Sequence, residues 1–259
     1  MIMPGAKAFF KKEFREIGKT YKIYVVPVIF LVLGLMSPLI AKIAPDLVKS
    51  MAGSSGGIII EIPPPTAVDA YLQLFKNLNQ IGILVVLITS IGIVVEEKTR
   101  GTAVLILTKP VPRWSFIISK YLANAALVTG STILSYLACL YYSGIIFKDT
   151  LFKPSVQGIM LVVVSYLLVL AITLLASTIS RTSVVSGGIA IGGVLLLSLL
   201  PSLSQWLARY TPGALSSYEV KLVSGSAAFS DAVPALAVTV SLVVLLVAVT
   251  MMVFQKQEL

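Results

Sequence analysis

Glu96-Glu97-Lys98-Thr99-Arg100-Gly101-Thr102-Ala103-Val104-Leu105-Ile106-Leu107-Thr108-Lys109-Pro110-Val111-Pro112-Arg113-Trp114 separates the second and third long apolar runs of this 259-residue chain. A connection between two helices needs only a few residues. This one is longer, and it combines charge, a helix start, a short apolar run and a proline stop. Glu96 and Glu97 close the preceding run, Gly101 releases the backbone, and Thr102 is placed to cap a short helix through Leu107. Pro110 and Pro112 then stop it. Arg113, Trp114 and Lys120 have the chemistry of a membrane-water boundary, where an indole and long basic side chains anchor a helix. The expected object is a short rigid helix held below a membrane, with Val104, Leu105 and Leu107 available to a partner. An amphipathic turn resting on lipid is the plainer alternative.

Working outward, the composition is that of a chain solvated mainly by lipid: 57% hydrophobic, 12% charged, mean hydropathy +0.97. The absence of His and the presence of one Cys exclude imidazole acid-base chemistry, most metal sites and any disulfide within the chain. Cys139 lies in an apolar run and is read as a core residue.

Six apolar windows are long enough to span a bilayer, at about 23–41, 78–95, 121–142, 157–179, 184–201 and 232–254. The reading is an all-α polytopic membrane protein, a single transmembrane domain over 1–259. An interfacial helix occupies 1–22, the hinge loop 96–120, and two outside loops 42–77 and 202–231. The second window is the least apolar, since Asn77, Asn79 and Gln80 must face protein or an interface. The first is long, follows a basic segment and lacks a small-residue cleavage pattern, so it is expected to remain as an anchor.

Basic residues set the expected orientation, because short positively charged loops resist translocation. With the N-terminus and C-terminus in the cytosol, 13 of the 20 basic residues and five of the 11 acidic ones fall inside. The inside then carries +8 of the net +9. Topology and anionic lipid therefore account for the charge, and nucleic-acid binding is not expected.

In the first segment Ala6, Phe9, Phe10, Phe14, Ile17 and Tyr21 recur at helical steps, while Lys7, Lys11, Arg15, Lys19 and Lys22 occupy another face. This is either a membrane anchor or an elbow that passes movement to the first span. Gly18-Lys19-Thr20 imitates the end of a phosphate-binding loop, but that pattern needs a glycine where Glu13 stands. No ATPase site follows from it.

The loop 42–77 carries a Gly/Ser tract at 53–57, Ile58-Ile59-Ile60 and Pro63-Pro64-Pro65, and reads as largely irregular. In 202–231, the stretch 205–210 is expected to form a short interfacial helix broken at Pro212-Gly213. No ionisable residue lies near the centre of any window, which weakens an ion-coupled carrier. Ser183, Ser186, Gly187, Gly188, Ala190, Gly192 and Gly193 form a face of small residues on the fifth span, where Gly188 and Gly192 would let another backbone approach. Spacing does not say whether the partner is another span or a second copy.

The hinge resembles that of the membrane subunits of ABC exporters of the second permease class, which have six spans and a separate ATPase. The likeness rests on Glu96 to Thr102, Leu105 to Leu107, Pro110, Arg113 and Lys120, an acidic, Gly-Thr, leucine, proline, arginine and lysine series. Lys12-Glu13-Phe14-Arg15, the first outside loop and Tyr210-Thr211-Pro212 extend it. Ser119 stands where that family often has glycine.

The resemblance implies a non-catalytic permease in the cell membrane, with two membrane subunits, read as a homodimer, and two ABC ATPase subunits that bind ATP and Mg. The hinge becomes the cytosolic coupling helix between helices 2 and 3. Its ATPase-coupling residues are Glu96, Glu97, Arg100, Gly101, Thr102, Val104, Leu105, Leu107, Pro110 and Arg113, with a second, smaller contact at Arg181. The membrane subunits would meet through their first and fifth spans, placing Gly188 and Gly192 in the dimer interface. The work would enter through the 96–113 loop, and a six-residue helix about 9 Å long moves as one body. A membrane scaffold or assembly factor, or an ion-coupled secondary transporter, is the alternative. No local motif selects the cargo.

Overall fold

Within lipid a backbone satisfies its own polar groups by coiling, so uncharged apolar runs of this length become helices. The computed structural model describes residues 4–53, 63–99, 101, 112–148 and 151–257. In chain order these form α1 (Pro4–Ile17), α2 (Lys22–Gly53), α3 (Ala67–Asn77), a π-helical turn (Leu78–Gly82), α4 (Ile83–Ser90), α5 (Val95–Thr99) and α6 (Arg113–Phe147). Then come α7 (Phe152–Ile179), α8 (Ser183–Leu203), α9 (Leu207–Tyr210), a 3₁₀ turn (Pro212–Ala214), α10 (Leu215–Val223) and α11 (Phe229–Lys256). No strand occurs among the described residues.

Six stretches are long and apolar enough to cross a membrane: Lys22–Lys49, Ala67–Thr99, Arg113–Phe147, Phe152–Ile179, Ser183–Leu203 and Phe229–Lys256. The helices run past the apolar windows read from the sequence. Thus α2 continues to Gly53 and α3 begins at Ala67, so much of the 42–77 segment is helical. Thr66 and Asp69 make a capping box that starts α3, with the Thr66 amide donating to Asp69 Oδ2 at 2.8 Å. The Gly/Ser tract beyond Gly53 and the Ile58 run lie outside the described residues.

The fourth span, α7, is the central post. It is apolar on all sides, and 61% of its most apolar window is buried, against 17% for α8 and 11% for α11. Val162, Tyr166, Val169 and Leu170 of α7 join Phe30 of α2, Phe75 and Leu78 of the second span, and Cys139 of α6 in the main core. The peripheral helices α8 and α11 keep long apolar faces open.

Helix α2 approaches α6 closely at Gly34. A Cβ there would collide with the Ser135 carbonyl, so glycine sets the approach. Pro27, Pro38 and Pro45 lie inside α2, where each removes a backbone donor. Ser37 Oγ donates to the Leu33 carbonyl at 2.6 Å and accepts from Asn77 Nδ2 at 3.0 Å, which ties the proline region to the second span.

Short elements cover the end of the bundle opposite the hinge. Only Leu207–Tyr210 of the expected 205–210 helix is α-helical, and the Pro212 turn leads directly into α10. Leu215, Tyr218 and Leu222 of α10 pack with Leu161 and Val164 of α7 and Ala232 and Ala235 of α11. The segment read as an outside loop therefore folds back into the bundle.

Candidate functional site

The hinge end gathers the two stems of the 96–113 loop, the start of α6, the turn between α7 and α8, the end of α11 and α1. The second span is interrupted there over Ile91 to Val94. The Val94 and Val95 amides donate to Ser177 Oγ, each at 3.0 Å, and Ser186 Oγ donates to the Ile91 carbonyl at 2.9 Å. Two hydroxyls of the fourth and fifth spans thus satisfy groups released by the break.

Beyond it, α5 carries the outgoing stem. Lys98 Nζ donates to the Thr178 carbonyl at 2.7 Å, the Ser180 carbonyl at 3.4 Å and Gln257 Oε1 at 3.1 Å. A cation on the last carbonyls of α7 suits the negative end of that helix. The returning stem is tied as well: the Arg113 guanidinium donates to the Gln255 and Gln257 carbonyls at 3.0 and 3.1 Å. Both stems therefore grip the end of α11.

A buried ion cluster joins the stems to each other and to α1. Lys120 Nζ lies 2.6 Å from Glu97 Oε1 and 3.1 Å from Glu13 Oε2, with the Lys120 and Glu13 side chains each 5% exposed. Lys12 adds contacts to Glu13 at 3.1 Å, Glu16 at 2.8 Å and Glu97 at 3.8 Å. Burial would depress the Lys12 pKa, but the hydrogen bond to Glu16 and the charges of Glu13 and Glu97 outweigh it and raise the value. Burial would raise Glu16, and Lys12 outweighs that in turn, holding its carboxyl below the ordinary value. The carboxylates of Glu13, Glu16 and Glu97 lie within 4.8 Å of one another, as metal ligands can. Two ammonium groups stand among them and supply that positive charge instead.

Beneath the cluster Phe9 stacks on Phe116 at 5.6 Å, and Phe116 stacks on Phe254 at 5.0 Å. The apolar side of α1 is thus spent partly on protein, whereas Phe14 stays 43% exposed. A cavity of about 680 Å³ lies between α1 and the stems, lined by Glu13, Lys22, Glu96, Glu97, Lys120 and Asn124 among others.

Of the hinge residues expected from sequence, Glu97 and Arg113 are held by these contacts, Glu96 is exposed on α5, and Gly101 adopts φ +69°. That φ is the left-handed conformation that glycine takes without cost. Arg100, Thr102, Val104, Leu105, Leu107 and Pro110 lie outside the described residues, and so does the expected helix through Leu107. Arg181 is exposed in the turn between α7 and α8.

On α8 the small-residue face divides. Gly187 packs against Ile91 and Gly193 against Ile172, but a Cβ on Gly188 or Gly192 would meet nothing. Among the described residues, neither packs closely against another part of the chain.

Three site residues escaped the sequence reading. Lys120, read as a headgroup anchor, is buried between two carboxylates. Glu13, taken from the sequence as an inside acid within the Lys12-Glu13-Phe14-Arg15 stretch, lies four residues after Phe9 and so falls on the buried stripe of α1. The third is Glu219, assigned to an outside loop and in fact 0% exposed. Nothing local in the sequence marks it, because its burial comes from α10 docking on distant spans.

Six apolar helices around a buried core, with ion pairs joining the stems of the 96–113 loop at one end, define a multi-pass membrane protein. The model of the ABC-2 family transporter proteins matches residues 8–259, and the chain belongs to that family. Members of that family are membrane transport subunits, generally non-catalytic, that work with ABC ATPases. The scaffold and ion-coupled readings are not favoured by this match. The chain is also similar to an uncharacterized transmembrane protein, YxlG, of Bacillus subtilis (strain 168), at 25% identity over 146 residues. That match covers 56% of this chain and 57% of the relative.

Proposed function

We propose that this chain is the permease subunit of an ATP-driven ABC exporter in the cell membrane, coupled through the 96–113 loop to a separate ATPase. Two such chains and two ATPase subunits make the complex, and ATP and Mg bind on the ATPases. The N-terminus, the hinge and the C-terminus face the cytosol. The observation that carries the reading is that both stems of the loop are fixed to the rest of the bundle. Lys98 holds the outgoing stem to α7 and α11, Arg113 holds the returning stem to α11, and Lys120 joins both to α1. A push on such a loop reaches five helices at once, whereas a loop on free stems would absorb it.

The test uses the chain purified with its ATPase in lipid. Gly101→Pro, which the left-handed φ forbids, and Leu105→Glu are each expected to lower transport-coupled ATP hydrolysis about tenfold or more. Membrane insertion and folded yield should stay unchanged. Full coupling in both variants would remove the loop from the mechanism.

A further inference from the structure

The residue that the coupling reading leaves unused is Glu219, a carboxyl fully enclosed at the end of the bundle opposite the hinge. It sits on α10, outside the spanning stretches, and is pressed between α7, α3 and α11. Asn79 Nδ2 donates to its Oε2 at 2.6 Å and to the Phe75 carbonyl at 3.0 Å. Its Oε1 is buried without a hydrogen-bond partner.

Asn79 belongs to the π-helical turn of the second span, Leu78–Gly82. Tyr166 Oη donates to the Leu78 carbonyl within that turn at 2.8 Å. A Cβ on Gly82 would strike the same hydroxyl, so glycine is required for Tyr166 to reach the backbone. Such turns occur mostly as single bulges within α-helices, frequently at functional sites. Here the Asn79–Glu219 bond fastens one to a separate short helix.

An ionised Glu219 would be a buried charge without a counter-ion, because no cation lies within ion-pair distance of it among the described residues. Tyr166 from α7 is the titratable group that interacts with it from the buried side, and it carries no positive charge. The cations of the packed elements point elsewhere: Lys76 and Lys153 are exposed, and Lys221 lies over the Tyr218 ring. Asp69 of α3 and Asp231 of α11 are exposed at their helix caps.

We propose that Glu219 is a proton-binding latch, which seats α10 on the π-turn of the second span when protonated and releases it when the proton leaves to solvent. Burial pushes its carboxyl up to about 8, against a smaller opposing effect of the Asn79 bond. The sign follows from linkage: the folded state holds the proton more tightly than the open one, so the seated form weakens as pH rises from the ordinary carboxylate range through about 8. The latch would let the far end of the bundle open or stay shut according to the proton activity there, independently of any ATPase.

The full chain in lipid nanodiscs gives two readouts. Infrared spectroscopy should show a protonated-carboxyl band that persists at neutral pH and is absent in Glu219→Gln. Hydrogen exchange over 214–223, corrected for its intrinsic pH dependence, should speed up about tenfold or more between about pH 6 and about pH 9. Glu219→Gln, which mimics the protonated acid, should stay protected throughout. If the band titrates in the ordinary carboxylate range, the latch is overturned. So it is if exchange is independent of pH, or if Glu219→Gln keeps the wild-type dependence.

Discussion

Lys120 is held between Glu13 and Glu97 with almost no solvent contact. Such a charge is costly to enclose, and removing one partner leaves the others uncompensated. Lys120→Met is therefore expected to destabilise the folded chain by about 3–5 kcal/mol, read as a lower thermal midpoint in lipid. Restoring neutrality with Glu13→Gln in the same chain should recover part of the loss; a strictly additive pair would show that the contact carries no energy. The outer part of the cluster answers to acid. Glu16 titrates below its ordinary value, so its contribution is complete above the unfolded carboxylate pKa and fades as pH falls through the lowered one. Docking of α1 should accordingly loosen in acid, while the raised Lys12 pKa keeps it intact into alkaline solution. Protease cleavage near Gly18 as a function of pH would record both limits.

Among the helices, contact distance is set by a few small residues. Gly34→Val would push α2 off α6, because the added carbons meet the Ser135 carbonyl rather than a side chain that can rotate away. Loss of folded yield is expected, and Gly130→Ala serves as the control, since a Cβ there meets nothing. Tyr166→Phe leaves the ring in place and removes a single donor to Leu78. It should cost about 0.5–1.5 kcal/mol, detectable as faster hydrogen exchange confined to the π-turn and α10. The apolar windows located all six spans, because composition alone chooses the lipid-solvated segments. Their extensions were less legible: α3 begins among residues such as Asp69, Gln73 and Lys76, whose polarity says loop until α2, α6 and α10 are seen packed around Tyr71, Leu74 and Phe75.

In the whole molecule, the open faces of α2 and α8 frame the proposed contact with a second copy. Val184, Gly188, Ile191, Leu195 and Leu199 follow one another along α8 and are all exposed. In a Cys139→Ala background, Gly188→Cys is expected to form a disulfide between two copies in the membrane, and Gly192→Leu to reduce dimer recovery. A monomer with unchanged transport would refute the pairing.

Lipid-compatible helices, their number, the side richer in basic residues and the unusual loop at 96–113 are all written in local composition and spacing, and these are enough for the class of this protein. Which charges are enclosed emerges only once the helices are packed. Glu13, Lys120 and Glu219 carry no local mark of burial along the chain, and each bonds a partner at least 23 residues away in sequence. Hydrophobic periodicity reports what a segment can bury against; it carries no information on which distant segment arrives.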